Sequence, residues 1–218
     1  MKKLLSLLSP ILALLCSCED ANESLRYPSI VTDYVCMTTD MVGQPSTLLL
    51  DNGCAYPIAF TDDYREAYDD QLSSYKKDTV YRVISIYELG ADSIAHIYSI
   101  AQTLSTIPTP LRDGETLYQD PVYLQSCWMS GGYLNMVIEL KALNGKHSIG
   151  FIDTTPVAMQ GKEFTFYHRT ISDVESYRQE LYGSIPLAPF SEALQQGDTL
   201  RFVINTYDKG LTEVEFVL

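Results

Sequence analysis

Few residues in this chain are typed and spaced for chemistry. Its three histidines, His96, His147 and His168, fall on separate segments with neither a His-x-His nor a His-Glu-x-x-His spacing. A zinc site would therefore have to be assembled wholly by tertiary contacts, and no metal or cofactor is assigned. A serine nucleophile has no better support: Gly183-Ser184-Ile185 lacks the Gly-x-Ser-x-Gly elbow, and Ser130-Gly131-Gly132 fits a turn. The carboxylate pairs Asp62-Asp63 and Asp69-Asp70 are adjacent in sequence, whereas a glycosidase needs two carboxylates facing each other across a cleft. No EF-hand loop or phosphate-binding loop is present. The chain reads as a non-enzyme, with no catalytic residue. Cysteine is the remaining chemistry, as Cys16 and Cys18 near the start and Cys36, Cys54 and Cys127 beyond. In an oxidising compartment that odd later set leaves at least one thiol unpaired; Cys36 and Cys54 either bridge or stay as buried free thiols.

The N-terminal cysteines sit in a recognisable context. Met1-Lys2-Lys3 is a short basic region, Leu4 to Leu15 is apolar but too short to span a bilayer, and the two together read as a signal peptide. The following Leu15-Cys16-Ser17-Cys18 resembles the bacterial lipobox, in which a small residue precedes the lipid-accepting cysteine. Cys18, preceded by Ser17, is the expected lipidation site. The alternative is an ordinary secretory signal cut near Ser17. Glu19, Asp20 and Glu23 resemble the surface-export signal of lipoproteins in Bacteroides-type bacteria. A cysteine carrying more than one acyl chain is stably anchored, so the expected location is the cell envelope, at the outer membrane, on its periplasmic or surface side. The net charge of -13 repels phosphate backbones, and no basic run after the leader exceeds Lys76-Lys77, so nucleic acid is not an expected partner.

Two β-rich units are expected to follow the tether. Residues 1–17 are the leader, 18–28 the lipidated tether, 29–105 a first domain, 106–119 a linker marked by Pro108, Pro110 and Gly114, and 120–218 a second domain. In the first, Ser29 to Met41 is a strand with Ile30, Thr32, Tyr34 and Cys36 on one face and Val31, Val35 and Met37 on the other, both partly covered. Thr47 to Leu50 and Ala55 to Phe60 are strands joined by the Asp51-Asn52-Gly53 turn. Thr61 to Lys77 is a helix whose packing stripe is Tyr64, Ala67, Tyr68, Gln71, Leu72 and Tyr75, and Thr79 to Leu89 and Ser93 to Thr103 are strands. Three strands, a helix and two strands is the order of an OB-like five-stranded barrel.

The second unit reads as an antiparallel β-sandwich. Its clearest strand starts at Tyr133, with Leu134, Met136, Ile138 and Leu140 alternating inward and Tyr133, Asn135, Glu139 and Lys141 outward. Ser130-Gly131-Gly132 turns it back on a run holding Val122, Leu124 and Trp128. Ser148 to Asp153, Glu163 to Thr170, Thr199 to Tyr207 and Leu211 to Leu218 are further strands. Ser172 to Leu181 is a short helix or a loop, and Tyr182 to Phe190, with Pro186 and Pro189, is irregular or at an edge.

The lipobox leader, the strand Thr79 to Leu89, the run Trp128-Met129-Ser130-Gly131-Gly132-Tyr133-Leu134-Asn135 and the segment Phe166-Tyr167-His168-Arg169 together resemble the NigD-like lipoproteins of Bacteroides-type bacteria. That resemblance implies an N-terminal OB domain and a C-terminal β-sandwich, and carries no catalytic residue. Two functions follow as expectations: a non-catalytic envelope lipoprotein binding a protein or glycan partner, or a structural or adhesive subunit acting by strand addition. For the first, an OB-fold offers its second and third strands and the loops joining strands one to two and four to five. Here these are Gly43 to Phe60 and Gly90 to Asp92, which contain Tyr56 and almost no basic residue. Tyr56 is thus the candidate ligand-face residue, on a surface suited to a sugar or a protein, the alternative being that its ring simply packs in the barrel.

Overall fold

The computed structural model describes residues 29–218 apart from 63, 67–71, 73, 144, 173 and 175. Cys18 and the leader lie outside the described residues. The protein is all-β, with a closed barrel followed by a sandwich. The barrel comprises β1 (Val31–Thr39), β2 (Pro45–Leu49), β3 (Ala55–Phe60), β4 (Val80–Leu89) and β5 (Ala95–Gln102), in the closed order β1-β2-β3-β5-β4. Its pairings are antiparallel except β3 with β5, where Ile58, Ala59 and Phe60 run parallel to Ala95, His96 and Ile97. Ladder irregularities at Thr38/Thr39 and Ile86/Tyr87 sit where the sheet must bend to close.

Alternation fills the barrel. Val35, Met37, Leu48, Val83, Tyr87, Ala95, Ile97 and Ile100 point inward and are buried. Residues 62, 64–66 and 72 are helical and lie between β3 and β4. Of the expected stripe, Tyr64, Leu72 and Tyr75 are buried in the barrel core, while Ala67, Tyr68 and Gln71 fall outside the described residues.

In the sandwich, β6 (Tyr123–Ser130), β7 (Tyr133–Ala142) and β10 (Tyr177–Pro186) form one sheet in the order β10-β7-β6. The other holds β8 (Lys146–Asp153), β9 (Gly161–Ser172), β11 (Thr199–Thr206) and β12 (Gly210–Val217) in the order β12-β11-β9-β8. Its pairs are antiparallel save β9 with β11. Leu134, Met136, Ile138 and Leu140 meet Phe151, Phe164, Phe166, Leu200, Phe202, Ile204 and Ile185 between the sheets. Each contributes about 1.5–3 kcal/mol of burial before chain entropy is set against it. The β6–β7 turn is Gly131-Gly132, both with positive φ (59° and 80°), as a two-residue hairpin of this twist requires.

One element differs from its sequence reading. Residues 177–181, expected as helix or loop, belong to β10, a ten-residue edge strand paired along the whole of β7, with Pro186 as its last residue. The segment Tyr177-Arg178-Gln179-Glu180 is exposed, so it has no apolar alternation to read. Pairing with β7 specifies it. Between the barrel and β6, the chain runs along the sandwich: Leu104 N donates to Tyr182 O (2.8 Å), Asp153 N to Thr109 O (3.1 Å) and His168 N to Tyr118 O (3.1 Å). Thus residues 104–122 bridge first to β10, then to β8, β9 and β11.

Candidate functional site

Tyr34 and Cys36 of β1 and Arg82 of β4 point out of the barrel yet are buried, packed on the outer face of the β10-β7-β6 sheet, while Val31, Val80 and Ile86 toward the ends of these strands stay exposed. That explains why β1 is covered on both sides from Tyr34 to Met37 and why Asn135, on the face expected to be outward, is 0% exposed. Tyr34 from β1 donates its hydroxyl to Met136 O (2.7 Å) and meets the rings of Trp128 (5.2 Å, 89°) and Tyr182 (6.1 Å, 79°) edge to face. Burial raises the Tyr34 hydroxyl pKa, so the group stays a proton donor at neutral pH.

At the centre of this junction is Arg82 of β4, whose side chain is 1% exposed. A buried guanidinium needs acceptors for five N–H groups. Here Nη1 donates to Asp51 Oδ1 (2.5 Å) and faces Cys36 Sγ (3.8 Å), while Nη2 donates to Asp51 Oδ2 (2.9 Å) and Asn135 Oδ1 (3.1 Å). The fifth donor, Nε, reaches Ser184 Oγ (3.3 Å). The partners then satisfy one another: Ser184 donates to Asn135 Oδ1 (2.7 Å), Asn135 Nδ2 to Ser130 Oγ (3.1 Å), and Ser130 to Asp51 Oδ2 (2.5 Å). Tyr133 lies under the guanidinium, ring centroid 4.3 Å from Cζ. A bidentate carboxylate pair, a saturated amide and a stacked ring hold the barrel's Arg82 and Asp51 to the sandwich's Ser130, Tyr133, Asn135 and Ser184.

Local sequence explains the geometry. The Asp51-Asn52-Gly53 turn, with Gly53 at φ 87°, presents Asp51 across the junction, and Gly131 makes room for it. A Cβ on Gly131 would fall 2.2 Å from Asp51 Oδ1. Chemically the cluster is a lock. Ser130 donates to a carboxylate that is itself held by Arg82, so its hydroxyl ties the β6–β7 turn of the sandwich to the barrel. Burial alone would raise the Asp51 pKa, but the Arg82 guanidinium and the Ser130 hydroxyl outweigh it and hold the carboxyl below its ordinary value.

Beside the lock opens a cleft of about 290 Å3 between the domains, lined by Asp33, Tyr34, Asp51, Asn52, Trp128 and Ser130 among others. Asp33 accepts a hydrogen bond from Tyr87 (3.0 Å). Tyr56 lies elsewhere. It pairs with Leu48 across β2 and β3 and is half-buried against the barrel core. The structure brings two histidines together, His147 Nδ1 to His168 Nε2 at 2.9 Å, and among the described residues no group of three metal-ligating side chains forms. Cys36, Cys54 and Cys127 are all free thiols, Cys36 buried and Cys54 exposed. Sequence reasoning passed over Arg82, Asp51, Asn135 and Ser184. The available signal was a single charge inside the apolar run Val80-Tyr81-Arg82-Val83-Ile84, which a strand tolerates only where a partner meets it.

The lock makes stability pH-dependent. The folded pKa of Asp51 lies below its unfolded value of about 4, so its contribution is complete above that pH and is lost as pH falls through the folded pKa. Asp51→Asn should cost about 2–4 kcal/mol at pH 7, the penalty for stripping a buried cation of its charge partner, lessened because Asp51 is partly open to solvent. Urea unfolding should show the variant and wild type converging as the pH falls below about 4, with Asp153, depressed by Lys162 and Thr155 despite its own burial, supplying the acid sensitivity that remains.

Comparison with known proteins fits this architecture. The family model of the NigD-like C-terminal beta sandwich domain matches residues 105–218. A NigD-like immunity protein from Bacteroides caccae superposes with a TM-score of 0.70 at 28% identity, covering 88% of this chain and 98% of that one. A protein from Parabacteroides distasonis, provisionally named toxin-related, gives 0.65 at 19% identity, covering 87% and 93%. A Bacteroides fragilis protein provisionally named a lipoprotein gives 0.53 at 8%, covering 87% and 96%, a likeness of fold alone. No curated protein matches the chain. The chain belongs to the NigD-like family, whose C-terminal sandwich here carries one half of the Arg82 lock.

Proposed function

We propose that this protein is a non-catalytic, lipid-anchored binding protein of the bacterial cell envelope, and that the interdomain cleft is its ligand site. The observation that carries the reading is the position of the cleft: it opens between a closed barrel and a sandwich that the Arg82 lock holds in fixed relation, so its walls are pre-organised. Its chemistry suits a hydroxyl-rich ligand. Asp33, Asp51 and Asn52 offer acceptors for sugar hydroxyls, and Trp128 offers an aromatic surface for the ring. The closed barrel has no free sheet edge, which weighs against strand addition on that domain. The anchor rests on the lipobox-like Leu15-Cys16-Ser17-Cys18 and gains support from the relative provisionally named a lipoprotein. Among the described residues no helix is long and apolar enough to cross a membrane. None of the named relatives is named as an enzyme, in keeping with a binding role.

Two experiments test it. Cell fractionation should find Cys18→Ala in the soluble fraction and Cys16→Ala still with the membrane; equal retention of both would remove the anchor assignment. Detergent-solubilised full-length protein should bind envelope glycans on an array, with Trp128→Leu at least ten-fold weaker and Tyr56→Ala unchanged. The opposite pattern would move the site to the barrel face around Tyr56, and absence of any glycan signal would reject the ligand class.

A further inference from the structure

A second cavity lies on the sandwich and shares no residue with the cleft. On β9, Phe164, Phe166 and His168 are buried on the core side, so Tyr167 and Arg169 stand on the outer face of the sheet. The chain bonds to the free edge of β8 at Thr109 and to the far side of β9 at Tyr118, so the residues between must pass over that outer face. They form a strap. Tyr118 meets Tyr167 edge to face (6.1 Å, 89°), and beneath the strap is a groove of about 610 Å3, a volume that suits a small ligand. Its floor is Gly150, opposite Tyr167 in the ladder, where an added Cβ would meet nothing within 4 Å. Ile107 just before the strap, Leu111 within it and Ile152 of β8 give it apolar walls.

At the rim, the Arg169 guanidinium lies on the Tyr118 ring, 4.3 Å from its centroid. Stacking occupies the face of the guanidinium and leaves its N–H donors in plane, the orientation that grips a carboxylate with two bonds. Three other cations of this domain are paired: Lys162 with Asp153 (2.8 Å), Arg178 with Glu139 (3.2 Å) and Arg201 with Glu163 (3.1 Å). Among the described residues no carboxylate pairs with Arg169 and no acceptor takes a hydrogen bond from its side chain. In a chain of net charge -13, Arg169 is thus a ring-stacked guanidinium at the rim of a cavity with no carboxylate paired to it.

We propose that this groove binds a small ligand bearing a single carboxylate on an apolar body, with the carboxylate on Arg169 and the body over Gly150 between Ile152 and Leu111. Glu115, which also lines the groove and accepts from Arg112 N (3.0 Å), adds a negative charge that selects against polyanions. A free organic acid and the C-terminus of an apolar peptide present this same chemistry. Phenylacetate and N-acetyl-leucyl-phenylalanine stand for the two sources, and the neutral amide of each is its control. Titration calorimetry on the full-length protein should show at least one acid binding, its amide at least ten-fold weaker, and the tighter acid identifies the source. Arg169→Gln should weaken the acid at least ten-fold. Gly150→Trp should fill the groove and abolish binding, with an unchanged circular dichroism spectrum, since Gly150 has open space above it and no positive φ. If neither acid binds, or if binding survives both substitutions, the proposal is overturned.

Discussion

Taking a guanidinium out of water costs several kcal/mol unless every donor finds an acceptor, and that constraint governs how the two halves of this protein meet. Arg82 has its acceptors on four segments: the β2–β3 turn through Asp51, β1 through Cys36, β7 through Asn135 and β10 through Ser184. Sliding the barrel on the sandwich by one residue would leave a buried cation short of its carboxylate or its amide. The pair itself is weak evidence for net stability, since apolar residues of similar shape pack as well. Its expected contribution is specificity: the observed stacking of the two β-surfaces gives every donor of the buried cation an acceptor.

The same constraint accounts for the run Trp128 to Asn135. Trp128 meets Tyr34, Ser130 holds Asp51, Gly131 leaves room for that carboxylate, Tyr133 lies under Arg82, and Asn135 closes the circuit. Meanwhile Leu134 and Met136, between them, face the sandwich core. One strand thus serves two interiors, apolar toward its own domain and polar toward the other. The cleft is a by-product of this docking: Trp128, Ser130 and Asp51 line it with the atoms the lock leaves uncovered.

Much of this architecture was legible in the sequence. The alternation from Tyr133 to Lys141, the OB order of strands and helix, and the burial of Tyr64, Leu72 and Tyr75 follow from side-chain periodicity and turn chemistry, which are local. The site was less legible because it is not local. Asn135 carries the pattern of a solvent-facing residue and is buried only because a barrel 53 residues earlier in the chain, at Arg82, lies on it. Strand β10 was hidden for the converse reason: its exposed first half shows no pattern, and its existence depends on the edge of β7. His147 and His168, unrelated by spacing, come together only through the β8–β9 ladder.

If the Arg82 lock makes barrel and sandwich one unit, neither should unfold without the other. Differential scanning calorimetry of the full-length protein measures this directly, by comparing the calorimetric enthalpy of unfolding with the van't Hoff enthalpy from the shape of the transition. The account predicts a single transition with the two enthalpies equal. Two resolved transitions, or a van't Hoff enthalpy well below the calorimetric one, would show that the domains unfold independently and would contradict it.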